Sequence, residues 1–176
     1  MKIIDYSAGF DIPLKFRILS DELLSSVDAV MKQKYANYEK DGVAVVMRQL
    51  PYVLFALKGD VKGKVVVDLG CGSRKAKDNL LSNYEPWLCR ILHEAGVMVI
   101  GVDAYDSSEE FRFYVKDLFL DKVDRIADVD VVHCSSLFDS PTLLHKHGID
   151  AGARLKEKLI LQCERVLRKD GVFLFA

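Results

Sequence analysis

The stretch Val65-Val66-Val67-Asp68-Leu69-Gly70-Cys71-Gly72-Ser73 constrains this chain more than any other. Three consecutive β-branched residues suit a strand covered on both faces, the kind found inside a parallel sheet. The strand runs directly into Gly-x-Gly. Glycine tolerates the left-handed backbone of a sharp turn, and its missing side chain lets the main chain come close to a ligand at the strand's carboxyl end. Ordinary turns use the same pattern, so its surroundings decide what it means.

From Val65 onward, short β-branched runs alternate with helical patterns, as βαβ units require. A helix is expected from Pro86, with Trp87, Leu88, Ile91, Leu92 and Ala95 on its apolar face and Gly96 as its C-terminal cap. A second strand follows at Val97–Val102, an edge-like third at Phe111–Val115, and a buried fourth at Val129–Cys134. Ala153–Leu167 has helical spacing, Asp170-Gly171 reads as a turn, and Val172–Phe175 is the fifth strand. Before this core, Ser20 is placed to cap a helix through Leu23, Leu24, Val27, Val30 and Met31. Another helix runs from about Asp41 to Pro51, which is expected to kink or restart it. The fold class is therefore α/β: a doubly wound, mostly parallel Rossmann-like sheet of about five strands. Counted from Val65, their order is 3-2-1-4-5. Residues 1–61 form an N-terminal helical extension of the same domain, and residues 62–176 form its core.

With 25 Lys and Arg against 26 Asp and Glu over 176 residues, the formal charge of −1 supplies no global field toward nucleic acid. Apolar runs fall short of the roughly 18 residues a membrane-spanning helix needs, and Asp5 and Asp11 break any signal-peptide pattern. A cytoplasmic protein with no membrane partner is the expectation. Cys71, Cys89, Cys134 and Cys163 are scattered without a C-x-x-C pair, so neither a disulfide framework nor a metal site is indicated.

A second feature gives the glycine turn its meaning. Gly101-Val102-Asp103 ends the neighbouring strand with a carboxylate, whose two oxygens can accept from both hydroxyls of a ribose. A turn-capping role before Tyr105 is the plainer reading of Asp103, but it leaves the co-occurrence with the glycines unexplained. A dinucleotide fingerprint wants a third glycine where Lys75 stands, and an acid nearer the turn than Asp103. Asp68, just before the glycines, suits a cationic ligand better than a pyrophosphate. S-adenosylmethionine carries a sulfonium, an ammonium and a ribose but no phosphate.

In these respects the chain resembles the class I S-adenosylmethionine-dependent methyltransferases. Their first motif is similar to Val67-Asp68-Leu69-Gly70-Cys71-Gly72, and their second to Val99-Ile100-Gly101-Val102-Asp103. The resemblance extends through Lys116-Asp117-Leu118, Val129-Asp130-Val131-Val132 and Cys163–Val172. It implies S-adenosylmethionine as cofactor, with Gly70 and Gly72 along the methionine moiety, Asp103 at the ribose, Asp117 with Leu118 at the adenine, and Cys71 and Ala104 among the cofactor-binding residues. Asp68 would act on the amino group, and Cys134 or Ser135 would close the floor. Family members continue past the fifth strand with a helix and two more strands. This sequence stops at Ala176, so a sheet edge that is unfinished or capped by the N-terminal helices is expected.

The resemblance leaves the methyl acceptor unidentified. After the fourth strand, His133-Cys134-Ser135-Ser136-Leu137-Phe138-Asp139-Ser140-Pro141 lacks the Asn/Asp-Pro-Pro-aromatic signature of many amino-methylating members. Ser135, Ser136 and Asp139 read as turn caps, and His133 as a hydrogen-bonded core residue. His145, His147 and Asp150 read as a solvated loop. Arg74, Lys75, Lys77, Asp78 and Asn79 form a polar excursion readable as a lid or as a loop. Tyr6, Phe10, Tyr35 and Tyr38 suit a lid over an acceptor or helix packing equally well. The alternative function is a non-catalytic binding or scaffolding protein of the same fold, pairing with its own copy through the sheet edge.

Overall fold

A computed structural model describes residues 1–7, 9–73, 85–123 and 126–176. The polar excursion from Arg74 to Asn79 lies outside the described residues. The elements are β1 (Lys2–Asp5), α1 (Leu14–Lys34), α2 (Val43–Ala56), β2 (Val65–Leu69), α3 (Trp87–Glu94), β3 (Met98–Asp103), β4 (Arg112–Val115), β5 (Val129–Cys134), α4 (Pro141–His147), α5 (Ala151–Val166) and β6 (Leu167–Phe175), with a π-helical turn at Tyr38–Gly42 leading into α2.

All six strands are parallel, in the order β1-β6-β5-β2-β3-β4. This differs from the expected sheet by one strand. Lys2–Asp5 does not belong to a helical extension; it pairs with Val172–Phe175 and occupies the edge expected to be unfinished. Ile4 explains the insertion, because its side chain is 4% exposed against the helices while its neighbours on the strand face out.

Alternation along the strands, broken at the bulge between Val129 and Val131, divides the core. Val66, Val131 and Leu174 point to the face covered by α1, α2 and α3, and Val67, Val132 and Phe173 point to the face under α4 and α5. Each fully buried aliphatic or aromatic side chain contributes about 1.5–3 kcal/mol. Helices on both faces explain why the central strands are apolar at nearly every position.

Several local expectations change. The helix read from Ser20 begins at Leu14 behind Pro13, and Ser20 is a buried residue inside it. α2 passes through Pro51 without ending; the carbonyl that the proline cannot serve belongs to Met47, an exposed residue. The Asp170-Gly171 turn is taken up by a bulge in β6, whose Leu167 faces Val129 and whose Val172 faces Val131. Among the described residues, no helix is long and apolar enough to cross a membrane.

β2 leads through α3 to β3 on one side, and β5 leads through α5 to β6 on the other. The winding therefore reverses between β2 and β5. Loops diverge at such a point and leave a crevice at the carboxyl ends of the strands.

Candidate functional site

The crevice begins where β2 ends. Gly70 has a φ of +70°, and its N–H and that of Cys71 both bond to the Val102 carbonyl, at 2.8 and 3.3 Å. The turn is thereby hooked onto β3. Gly72 is also left-handed, at +95°, and donates its N–H to Asp103 Oδ2 at 2.9 Å. The other oxygen of Asp103 accepts the Tyr105 N–H at 3.2 Å. Asp103 thus caps its own turn, the plainer of the two readings weighed for it, and also fixes the glycine turn. Burial pushes its carboxyl above the ordinary value, while the N–H bonds from Gly72, Tyr105 and Ala104 pull it down in part. Each carboxylate oxygen keeps acceptor capacity beyond one N–H.

A cleft of about 530 Å³ opens beside these groups, within the range of small-molecule sites. Gly70, Gly72, Asp103, Ala104, Asp117, Leu118 and Ser135 all line it. Seven of the ten residues expected at a cofactor site thus share one cavity. Leu137, Leu143 and Leu155 supply apolar wall.

Three expected site residues lie elsewhere. Asp68 is 4% exposed, and the alternation of β2 turns it toward the α3 face. There it meets His133 Nδ1 at 2.7 Å and the Cys89 thiol at 3.5 Å. Cys71 and Cys134 are likewise buried and do not line the cleft; Cys134 follows the alternation of β5 into the α5 face. Burial drives both thiols upward, which suits packing rather than reactivity. His133 is the core residue its strand context suggested, accepting or donating to the Tyr6 hydroxyl at 2.8 Å. Tyr6, Phe10, Tyr35 and Tyr38 pack in the helical layer.

Other cleft residues escaped the sequence reading. The segment with His145 and His147 is the helix α4, not a loop, and Lys146 and His147 line the cleft. Its signals were Pro141 at the first turn and Gly148 just past the end, an N-terminal proline and C-terminal glycine. His147 stacks on Phe119 with centroids 4.3 Å apart. Asp117, expected at an adenine, is held by Lys146 Nζ at 2.6 Å and by the Phe119 N–H at 3.1 Å. Lys158 fastens the same loop by donating to the carbonyls of Leu118 and Phe119 at 2.9 and 2.8 Å.

Among the described residues, His93, Glu94 and Glu110 bring ligand-type atoms within 4.8 Å of one another. Lys34 Nζ sits between the two carboxylates, 2.7 Å from each, and supplies the positive charge there.

No family model matches the sequence, and no curated protein matches it. Among solved structures, the chain is similar to the plantazolicin methyltransferase BpumL in complex with SAH, at 13% identity and a TM-score of 0.43, covering 90% of this chain and 57% of that one. It is also similar to the same enzyme in complex with a pentazolic desmethylPZN analog and SAH, at 14% identity and a TM-score of 0.36, covering 86% and 57%. This chain therefore spans little more than half the length of these structures. A likeness at this level bears on neither ligand nor reaction.

Proposed function

We propose that the cleft binds S-adenosylmethionine and that the protein is a methyltransferase whose acceptor is not identified. The observation that carries this reading is the Asp103 carboxylate, fixed by the Gly72 and Tyr105 N–H groups at the rim of an apolar cleft. Its remaining lone pairs suit the two hydroxyls of a ribose, and its charge disfavours a phosphate at the same place. The main chain of Gly70 and Gly72 would border the methionine part, and Ala104 and Leu118 would flank the adenine. Asp68 has no place in this assignment, because its carboxylate is engaged in the core.

The bound group would supply a methyl on a positively charged sulfur, displaced in line by an acceptor nucleophile. The protein's part is to hold the two in near-attack geometry away from water, which requires no dedicated base.

Calorimetric titration with S-adenosylmethionine, S-adenosylhomocysteine and NAD tests the reading. The first two are expected to bind at micromolar concentration and NAD not to bind. Asp103→Asn, which keeps one acceptor oxygen but loses the charge, is expected to weaken both by about tenfold or more. Absence of heat with either sulfur ligand overturns the cofactor assignment. If they bind, labelled methyl transfer from S-adenosylmethionine into cell extract separates an enzyme from a binding protein.

A further inference from the structure

A second cavity lies at the opposite end of the sheet, at the amino ends of β1 and β6, between the start of α1 and the end of α2. Its volume is about 650 Å³. Ile4, Phe16, Phe55 and Val172 give it an apolar lining. Lys2, Lys15, Lys58 and Lys169 also line it, against one carboxylate, Asp170.

Lys32, Lys34, Lys64, Lys146 and Lys156 each lie within ion-pair distance of an acid. Among the described residues, the four lysines of this cavity form no ion pair, and neither do Lys40, Lys62 and Lys122; what the four share is one cavity wall. The ammonium groups of Lys2 and Lys15 stand over the rings of Phe55 and Phe16, at 5.5 and 4.8 Å. In a chain with a net charge of −1, four lysines have gathered around one hydrophobic depression.

Lys58 is placed there against local preference. α2 ends with the Gly59 N–H bonded to the Leu54 carbonyl at 2.8 Å and the Lys58 N–H bonded to that of Phe55 at 3.0 Å. This is a Schellman end, and its left-handed position normally falls to glycine. Here the glycine comes one residue late, and Lys58 takes the left-handed conformation at a φ of +59°. A backbone conformation unfavourable to lysine is kept, and its side chain lines the cavity.

We propose that this groove binds a small amphiphile with one anionic head group, a carboxylate, sulfonate or phosphate, on an aliphatic or aromatic body. The lysines answer the head and the apolar lining answers the body. A neutral apolar ligand leaves the four cations unused, and a polyanion without an apolar part leaves the lining unused. The volume suits one small molecule. The site stands at the far end of the sheet from the Asp103 cleft and does not depend on what that cleft binds.

The test uses decanoate as probe, with decanol as its neutral counterpart, followed by calorimetry and by amide NMR shifts. Decanoate is expected to shift Ala56 and Val172, with decanol at least about tenfold weaker, as for the loss of a charged hydrogen-bond partner. Lys58→Gly is expected to raise the melting temperature while weakening decanoate about tenfold. Lys169→Glu is expected to weaken it as well. Equal binding of decanol, indifference to both substitutions, or shifts confined to the Asp103 cleft overturns the proposal. Binding to phosphatidylglycerol vesicles without binding to free decanoate also overturns it, because the head group would then be read only as part of a membrane surface.

Discussion

Asp68 Oδ1 lies 2.7 Å from His133 Nδ1, a buried contact that joins β2 to β5 where the sheet reverses its winding. In the arrangement where the carboxylate accepts from Nδ1 and the imidazole is neutral, Nε2 accepts from the Tyr6 hydroxyl at 2.8 Å. Tyr6 is also stacked on Tyr52, with centroids 4.3 Å apart. Tyr6→Phe keeps the ring and strands the Nε2 acceptor, which is expected to cost about 1–3 kcal/mol in urea denaturation. Ligand binding in the Asp103 cleft should be unchanged, since none of the three residues lines it. A neutral effect on stability would show that the chain of hydrogen bonds does not form.

Arg90 is fully buried. Its guanidinium donates to both oxygens of Glu109, at 2.7 and 3.0 Å, and to Glu85, and lies over the rings of Tyr35 and Trp87 at 4.2 and 4.6 Å. It ties α1, α3 and the loop after β3 into one unit. Arg90→Met fills similar space but leaves the Glu109 side chain, 1% exposed, without its cationic partner and with only the Ser107 hydroxyl bond among the described contacts. The expected loss is about 3–5 kcal/mol, read from the urea midpoint, and Arg90→Lys should recover only part of it because the planar fork is gone.

Where apolar rhythm and local chemistry agreed, the sequence was legible: Val129–Cys134 and the strand at Val65 fall where their β-branched runs place them. β1 was not legible, because a strand of four residues with one inward side chain, Ile4, has too little pattern to register. Asp103 could be read because its position at a strand end requires no knowledge of facing. Asp68 could not, since its direction depends on the pleat, and the alternation of β2 turns it into the core on the α3 face. Lys146 and His147 reach the cleft only because α4 folds over Phe119, a tertiary contact that motif spacing does not contain.

Ser20 illustrates the same limit and yields a test. Its residue type marks a helix cap, yet it sits within α1 with a buried Oγ that has no hydrogen-bond partner among the described residues. Ser20→Ala removes the stranded hydroxyl and adds a better helix former, and stability is expected to rise by about 1 kcal/mol in thermal or urea unfolding. A loss of stability would mean that the hydroxyl has a partner after all.

Asp117 makes the cleft's architecture sensitive to pH at both extremes. Burial raises its carboxyl, but the Lys146 hydrogen bond, the Phe119 N–H and the charges of Lys146 and His147 outweigh it, leaving it below its ordinary value. Lys146 is raised, first by its hydrogen bond to Asp117. The depressed acid stabilises the fold above the ordinary carboxylate range and loses that contribution as pH falls through its native value. The raised lysine stabilises below the ordinary lysine range and loses its contribution as pH rises through its own. The stability gap between the protein and Asp117→Asn should therefore be widest near neutrality and close toward both acid and strong base. A gap that is flat across the denaturation series would remove the ion pair from the account.

Gly152 sets how closely α5 approaches the loop after β5. A Cβ there would lie 1.9 Å from the Phe138 carbonyl oxygen and 2.9 Å from its carbon, against backbone that has no rotamer to escape into. Gly152→Ala must therefore push the start of α5 away from Phe138, whose ring packs on Phe175 at 5.8 Å. Overpacking of this kind costs about 1–3 kcal/mol. Leu137, next to Phe138, and Leu155, one turn along α5, both line the cleft, so the displacement reaches the ligand wall as well as the core. Urea denaturation should show the lost stability, and titration with S-adenosylhomocysteine should show weaker binding even at temperatures where the variant is fully folded. Normal affinity in a destabilised variant would mean that the helix yields at its far end and that the cleft does not depend on this contact.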